Sequence, residues 1–361
     1  MAVKMAERNP KDGKVLIFTI LAALASASLL LLVFSQSFGD SLFLFFIAPF
    51  ANSYYLGSLL ASTVPLIVAG LGVAFAFQSR NFNLGGEGQI YAGALAATLV
   101  ALRFPEGSAL GVRLLSCAAA AAAGGMIGAF SGTLKRRLGV DELISSFLVS
   151  SLVVLLIDYL VTGPVQDPAS NFQTTRTIAS KLAFAKIFPP SPLSTSLFIA
   201  LFAAFLGKIA MDRTRFGFEL KLCGANSEFA RYAGIDSGRY SVLPMALSGA
   251  LHGLAGALMI FGSYYKTMRG FSGGVGWSAI AVALIAKNNP LGLIPAAAFY
   301  AYLESGAKSV MLGSNVPSEI VAIVQAVIFL IVTASRIPFA RAGALKPHGA
   351  LKPHGALKPR G

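Results

Sequence analysis

The stretch NFNLGGEGQIYAG, Asn81 to Gly93, sets one carboxylate, Glu87, among glycines inside an otherwise apolar run. Upstream, Leu56–Phe77 carries no charge at all, and Leu84–Leu102 carries only Glu87. A helix crossing a bilayer needs about 20 mostly apolar residues, because hydrocarbon offers no partner to an unsatisfied backbone group. The rest of the chain has the same character. Of its 361 residues, 55% are hydrophobic and only 12% are charged, with a mean hydropathy of +0.71. The expectation is an all-α, polytopic integral membrane protein. Outward from the opening stretch, about ten spans are expected: Val15–Phe34, Leu56–Phe77, Leu84–Leu102, Leu114–Gly132, Leu143–Val161, Leu193–Ala210, Tyr240–Phe261, Gly276–Ala286, Leu291–Leu303 and Ile320–Thr333.

Charge placement orients these spans. Twenty of the 29 basic residues fall in segments 1–14, around Arg80, at Lys135-Arg136-Arg137, in loop 212–239, at Lys287 and from Arg336 onward, against eight in the alternate loops. The positive-inside rule then puts both termini in the cytoplasm. Four basic residues before the first span also suit a secretory leader, but the apolar core is longer than the ~7–15 residues such a leader uses, so a retained helix is expected. Cys117 and Cys223 fall in a span and in a loop, which indicates neither a disulfide nor a metal site. Segment 336–361 ends in ALKPHG, ALKPHG, ALKPRG; its recurrent proline opposes a helix, so it reads as a disordered basic tail or a weak contact for anionic headgroups.

The glycines of the opening stretch recur. Gly85-Gly86-Glu87-Gly88 has a counterpart in Gly273-Gly274-Val275-Gly276, and each leads into an alanine-rich span. By the charge-derived topology the two enter from opposite sides. This suggests an inverted repeat, spans two to five against seven to ten, with interrupted helices and a pathway at the interface; chance is the competing explanation for so short a match. A carboxylate on a span costs about 2.5–3.5 kcal/mol at the bilayer centre on insertion scales, so Glu87 needs a protein partner or water. It reads as a helix-start and packing element, favoured by the dipole, or as a pathway-lining group. Asn288 and Asn289 in AKNNPLG, Ala286–Gly292, form either a partly buried break near the pathway or a plain turn.

Loop 212–239 contains RFGFELKLCGANSEFARYAGI, Arg215 to Ile235. Asn226 is a good N-cap and Gly234 a good stop for a short helix over Ser227–Ala233. Phe229 and Tyr232 suit a groove on a partner, with Glu228 and Arg231 at its rim; the alternative is a helix lying on the membrane surface.

With these motifs in hand, NFNLGGEGQIYAG, GANSEFARYAGI and GGVGWSAIAVALIAKNNPLG together resemble the permease subunits of bacterial ABC importers of the ribose, branched-chain amino acid and nucleoside group. They are most similar to the nucleoside and simple-sugar branch, since ribose permeases carry a more aspartate- and serine-rich first motif. The resemblance covers roughly 56–333; Lys287 and the repetitive tail depart from it. It implies a chain in the bacterial cytoplasmic (inner) membrane working with an ABC ATPase subunit, a second permease subunit, expected to form a heterodimer, and an extracytoplasmic binding protein or lipoprotein. ATP and magnesium would belong to the ATPase. No cofactor is expected in this chain, which has no G-x-x-x-x-G-K-[ST]; Gly207-Lys208 is followed by Ile209. The short loop helix would couple to the ATPase, with Gly224 and Gly234 shaping its turns. The pathway would be lined by Asn83, Glu87, Gln89, Trp277, Asn288 and Asn289, a neutral polar set suited to a nucleoside. A simple sugar such as ribose is the alternative substrate. A stand-alone secondary transporter using Glu87, Asp158 and Glu304 is the rival class, and neither nucleic acid nor enzymatic chemistry is expected.

Overall fold

The computed structural model describes residues 37–314, together with Ala25, Ser28, Leu29, Ile323, Ala326, Val327 and Leu330. The expected first and tenth spans, apart from those positions, and the terminal segments 1–14 and 336–361 lie outside the described residues. Among the described residues the secondary structure is helical, with only two isolated β-bridges, Thr174 to Met268 and Lys186 to Ser194. The helices are α1 (Phe38–Phe46), α2 (Ser53–Gln78), α3 (Gly86–Arg103), α4 (Ala109–Leu138), α5 (Glu142–Thr162), α6 (Ser196–Arg213), α7 (Arg215–Ala225), α8 (Ser227–Tyr232), α9 (Arg239–Met259, prolonged by a π turn at Ile260–Tyr264), α10 (Val275–Ile285) and α11 (Leu293–Gly313).

Every expected span from Leu56 to Leu303 coincides with one of these helices. Three features depart from the expectation. Helices α1 and α7 were not anticipated, and α11 runs on to Gly313, so the ninth span is not short. Charge at Glu304 and Lys308 marks an apparent end of the apolar run. The two side chains pair at 2.6 Å one turn apart, which neutralises both and lets the helix continue. Helix α7 starts at Thr214, whose hydroxyl accepts the Gly217 N–H at 3.2 Å. Its two internal glycines hide it from a propensity reading.

Burial separates centre from periphery. In the most apolar window, 83% of α2 and 72% of α9 with its π turn is buried, against 28% for α4 and for α5. Helices α2 and α9 therefore form the middle of the bundle, while α5 turns Leu148, Leu152 and Leu155 outward.

Apolar burial drives little association among helices in lipid, where backbone contact between small residues takes its place. Helix α4 carries Ala120, Gly124, Gly128 and Gly132 at four-residue spacing, facing Gly253, Gly249, Met245 and Ser241 of α9 in reverse order. A Cβ on Gly124 would fall on the carbonyl of Gly249, one on Gly128 on that of Met245, and one on Gly132 2.7 Å from that of Ser241. The pair is antiparallel and in backbone contact.

The central helices show the inverted relation directly. Helices α2 and α9 are antiparallel: Ser58 to Pro65 face Leu258 to Tyr264, while Gly72 lies against Ser248 and His252. Helix α3 follows α9, Gly86 touching His252 and Ile90 touching Gly256; helix α10 follows α2, Val275 sharing a wall with Ser58 and Val282 meeting Gly70. Packing is matched as well, with α9 against α3 and α4 as α2 is against α10 and α11. Helices α3 and α10 thus leave a common junction in opposite directions.

Candidate functional site

The junction is where the two glycine motifs meet. A Cβ on Gly276 would overlap the backbone nitrogen of Glu87, and one on Gly86 would lie 3.3 Å from the Gly276 carbonyl and 2.6 Å from His252 Nε2. Two helix N-termini are therefore in contact, each with unsatisfied N–H groups and roughly half a positive charge. Glu87 lies between them. On the first turn of α3, its Oε2 accepts the Gly276 N–H of α10 at 2.9 Å, and its Oε1 accepts the Ser272 hydroxyl. Hydrogen bonds to a charged group contribute about 1.5–3 kcal/mol each, so two of them offset an insertion cost of about 2.5–3.5 kcal/mol before the dipoles are counted. The carboxylate caps a helix other than its own.

Two further N–H groups of the motif are met by serines. Ser146 Oγ accepts the Leu84 N–H at 3.0 Å and Ser150 Oγ accepts that of Gly88 at 2.8 Å, both from α5. Asn83 and Gln89, both buried, exchange amide bonds at 2.9 and 3.1 Å. Asn83 also donates to Ser248 Oγ at 2.9 Å and accepts the Gly85 N–H at 2.9 Å. Its amide is fully engaged in holding the entry of α3 to α9. His252, fully buried, has Nδ1 2.7 Å from the Ser248 carbonyl, which makes that nitrogen the donor; Nε2 has no partner among the described residues.

The structure brings Asn83, Glu87 and Gln89 together, places Trp277 next to Gly276 at the rim of the same junction, and sets Asn288 and Asn289 apart. Trp277 is 45% exposed, with its ring 6.0 Å from that of Phe147. Asn288 and Asn289 lie beyond the far end of α10, about 16 Å along the helix from the junction. Lys287 and Asn288 there take positive φ, both 54°, and Asn289 Oδ1 accepts the Leu291 N–H at 3.2 Å. The AKNNPLG segment is a tight turn that reverses the chain between α10 and α11. Ser146, Ser150, Ser248, His252 and Ser272 were missed by sequence reasoning. The only signal for them was position: Ser272 immediately precedes the second glycine motif, and Ser146 and Ser150 are one turn apart.

Before α3, the segment Ser79–Asn81 is fixed by a polar set at the other end of the bundle. Asn81 Nδ2 donates to the Tyr240 carbonyl at 2.7 Å; Lys135 Nζ bonds Asn81 Oδ1 at 2.8 Å and Glu142 at 2.7 Å. Beside it stands the helical pair α7–α8. Glu219 accepts from Arg215 at 2.6 Å and from the Tyr240 hydroxyl at 2.7 Å; these bonds, that of Arg215 foremost, hold its carboxyl below the usual range. Gly224 is where α7 meets α2, since a Cβ there would strike the Gln78 carbonyl. Asn226 Oδ1 accepts the Phe229 N–H at 2.9 Å, and Gly234, at φ +82°, ends the turn after α8. Ala230 is buried, whereas Phe229 is 57% and Tyr232 91% exposed, with Glu228 and Arg231 exposed beside them. Helix α8 is short, capped, and presents two aromatic side chains outward.

Comparison with known proteins supplies a frame for this geometry. A sequence profile described as “Branched-chain amino acid transport system / permease component” matches residues 55–333. The chain is 34% identical over 323 residues to the guanosine ABC transporter permease protein NupP of Bacillus subtilis, covering 88% of this chain and 92% of that one. It is 31% identical to the glucose ABC transporter permease protein TsgB13 of Haloferax volcanii, over 88% and 86% of the two chains. With the nucleoside ABC transporter permease protein NupB of Lactococcus lactis subsp. cremoris the identity is 29%, over 80% and 81%. Among solved structures, PsaBC from Streptococcus pneumoniae aligns with a TM-score of 0.46 at 16% identity, over 80% of this chain and 94% of that one.

Proposed function

The chain belongs to the permease-component family of branched-chain amino acid transport systems, and from that premise we propose that it forms the translocation pathway of an ATP-driven importer for a nucleoside. In this reading a separate ABC ATPase hydrolyses ATP with magnesium, a second permease subunit completes the membrane unit, and an extracytoplasmic binding protein delivers the solute. Both termini are cytoplasmic, in the bacterial inner membrane. The observation that carries the substrate class is likeness over most of the chain to permeases named for guanosine and for nucleosides. Uptake of labelled guanosine should fall in a strain lacking this chain and other nucleoside carriers, and return on complementation; unchanged uptake overturns the reading. A simple sugar is the second reading, favoured by the likeness to a permease named for glucose, and labelled ribose and glucose belong in the same assay.

The placement of acids speaks against a stand-alone ion-coupled carrier. Glu87 is engaged by Ser272 and Gly276, Asp158 lies 3.5 Å from Arg269, and Glu304 pairs with Lys308. Each of the three carboxylates named for ion coupling has a hydrogen-bonding or charged partner. ATP-driven closure would reach this chain through α8, whose exposed Phe229 and Tyr232 fit a groove, with Asn226, Gly224 and Gly234 setting its angle. Rocking of the two repeats about the α3–α10 junction would then alternate access.

A further inference from the structure

A cavity of about 300 Å³ lies within this single chain, away from α8 and at the end of the bundle where α2 begins. Helix α2, the start of α6, the π turn, the segment before α10 and helix α11 enclose it. In size it is at the lower end of small-molecule sites. Four of its polar groups are not the self-satisfied kind usual in a membrane helix, where a serine bonds the carbonyl one turn back. Ser58 and Ser62, one turn apart on α2, and Ser263 and Tyr264 in the π turn all line it, and none of these hydroxyls bonds a described residue. A π turn at this place is itself notable, since such turns gather at functional sites. One wall is aromatic: the Phe271 ring is 5.0 Å from that of Tyr91 and 5.9 Å from that of Tyr264. Glu304 and Lys308 complete the lining as a closed ion pair, so the cavity offers no net charge. Ser272 also faces it, and the same hydroxyl is bonded to Glu87.

We infer that this cavity is a solute-binding site within one permease subunit, taking a neutral, hydroxyl-bearing ring such as a pentose or the ribosyl part of a nucleoside. Unpartnered hydroxyls meet the solute hydroxyls, and the Phe271 wall covers the ring's apolar face. The closed ion pair gives neither an anion nor a cation an advantage. Because Ser272 contacts both cavity and Glu87, occupancy is felt at the junction of the two repeats. The inference takes its probes from the nucleoside reading above, but the two can fail separately.

The test is cysteine protection in the full transporter on intact cells, with Cys117 and Cys223 replaced by serine. Ser62→Cys and, as an independent position, Ser263→Cys are exposed to a membrane-impermeant maleimide, after surface expression has been checked. Both should be labelled, and D-ribose or guanosine at ten times its half-protecting concentration should slow labelling about tenfold. Leucine and guanosine monophosphate, which carry charge, should not slow it. Absence of labelling at both positions, labelling that no solute slows, or equal protection by the charged probes overturns the inference. If ribose protects while guanosine is not taken up, the site stands and the nucleoside reading falls; if uptake is intact and protection absent, the site falls alone.

Discussion

Glu87 shows how one side chain can answer a demand set by two helices. Its carboxylate caps α10 from the first turn of α3, where both positive helix ends meet. Glu87→Gln keeps the shape and one acceptor oxygen, and removes the charge. It should destabilise the chain by about 1–2 kcal/mol, the loss of a charge-assisted bond and of the dipole contribution. Glu87→Leu should cost more, because the Gly276 N–H is then buried without an acceptor, at about 1–3 kcal/mol, and the Ser272 hydroxyl loses its carboxylate. Thermal unfolding of the purified variants in one detergent measures both, and equal stability of the Leu variant and the parent would remove the capping role. The same logic explains why Asn83 and Gln89 bind each other: in a low-dielectric interior an amide left without partners is costly.

At the scale of elements, the contact of α4 with α9 depends on the missing Cβ atoms of Gly124, Gly128 and Gly249. Gly128→Leu would force a side chain onto the Met245 carbonyl. Overpacking of this kind typically costs about 1–3 kcal/mol, and here it separates two backbones, so folded yield in the membrane should fall sharply. Gly139→Ala is the contrasting change, since no atom lies within 4 Å of that position and only its φ of +66° is strained. Size-exclusion profiles of the two variants give the comparison, and a normal profile for Gly128→Leu would refute close packing. In the function proposed above, helix α8 is the element that would meet the ATPase, through its exposed Phe229 and Tyr232. Truncating aromatic anchors at an interface costs about 2 kcal/mol or more, so Phe229→Ala with Tyr232→Ala should leave the permease inserted and release the ATPase. Co-purification reads this out, and full retention of the ATPase would end the coupling assignment.

For the whole molecule, the topology prediction is that reporter fusions at either end report a cytoplasmic location; a tail found outside would reverse every loop assignment. Much of the architecture was legible in the sequence, because hydropathy and length set where helices cross, and lipid leaves the backbone no alternative to satisfying itself. The cap and stop of α8 were legible too, Asn226 and Gly234 acting on residues three or four positions away. The paired glycine motifs pointed to a junction. What it contains was decided only by tertiary structure. Glu87 finds Gly276 across 189 positions and Asn83 finds Ser248 across 165, pairings that no local preference encodes. The serines that complete the junction and the cavity are small, common residues with no pattern of their own. Their meaning comes from which helices the glycines allow into contact: propensity and hydropathy are properties of neighbours along the chain, while a buried polar group is defined by its neighbours across it.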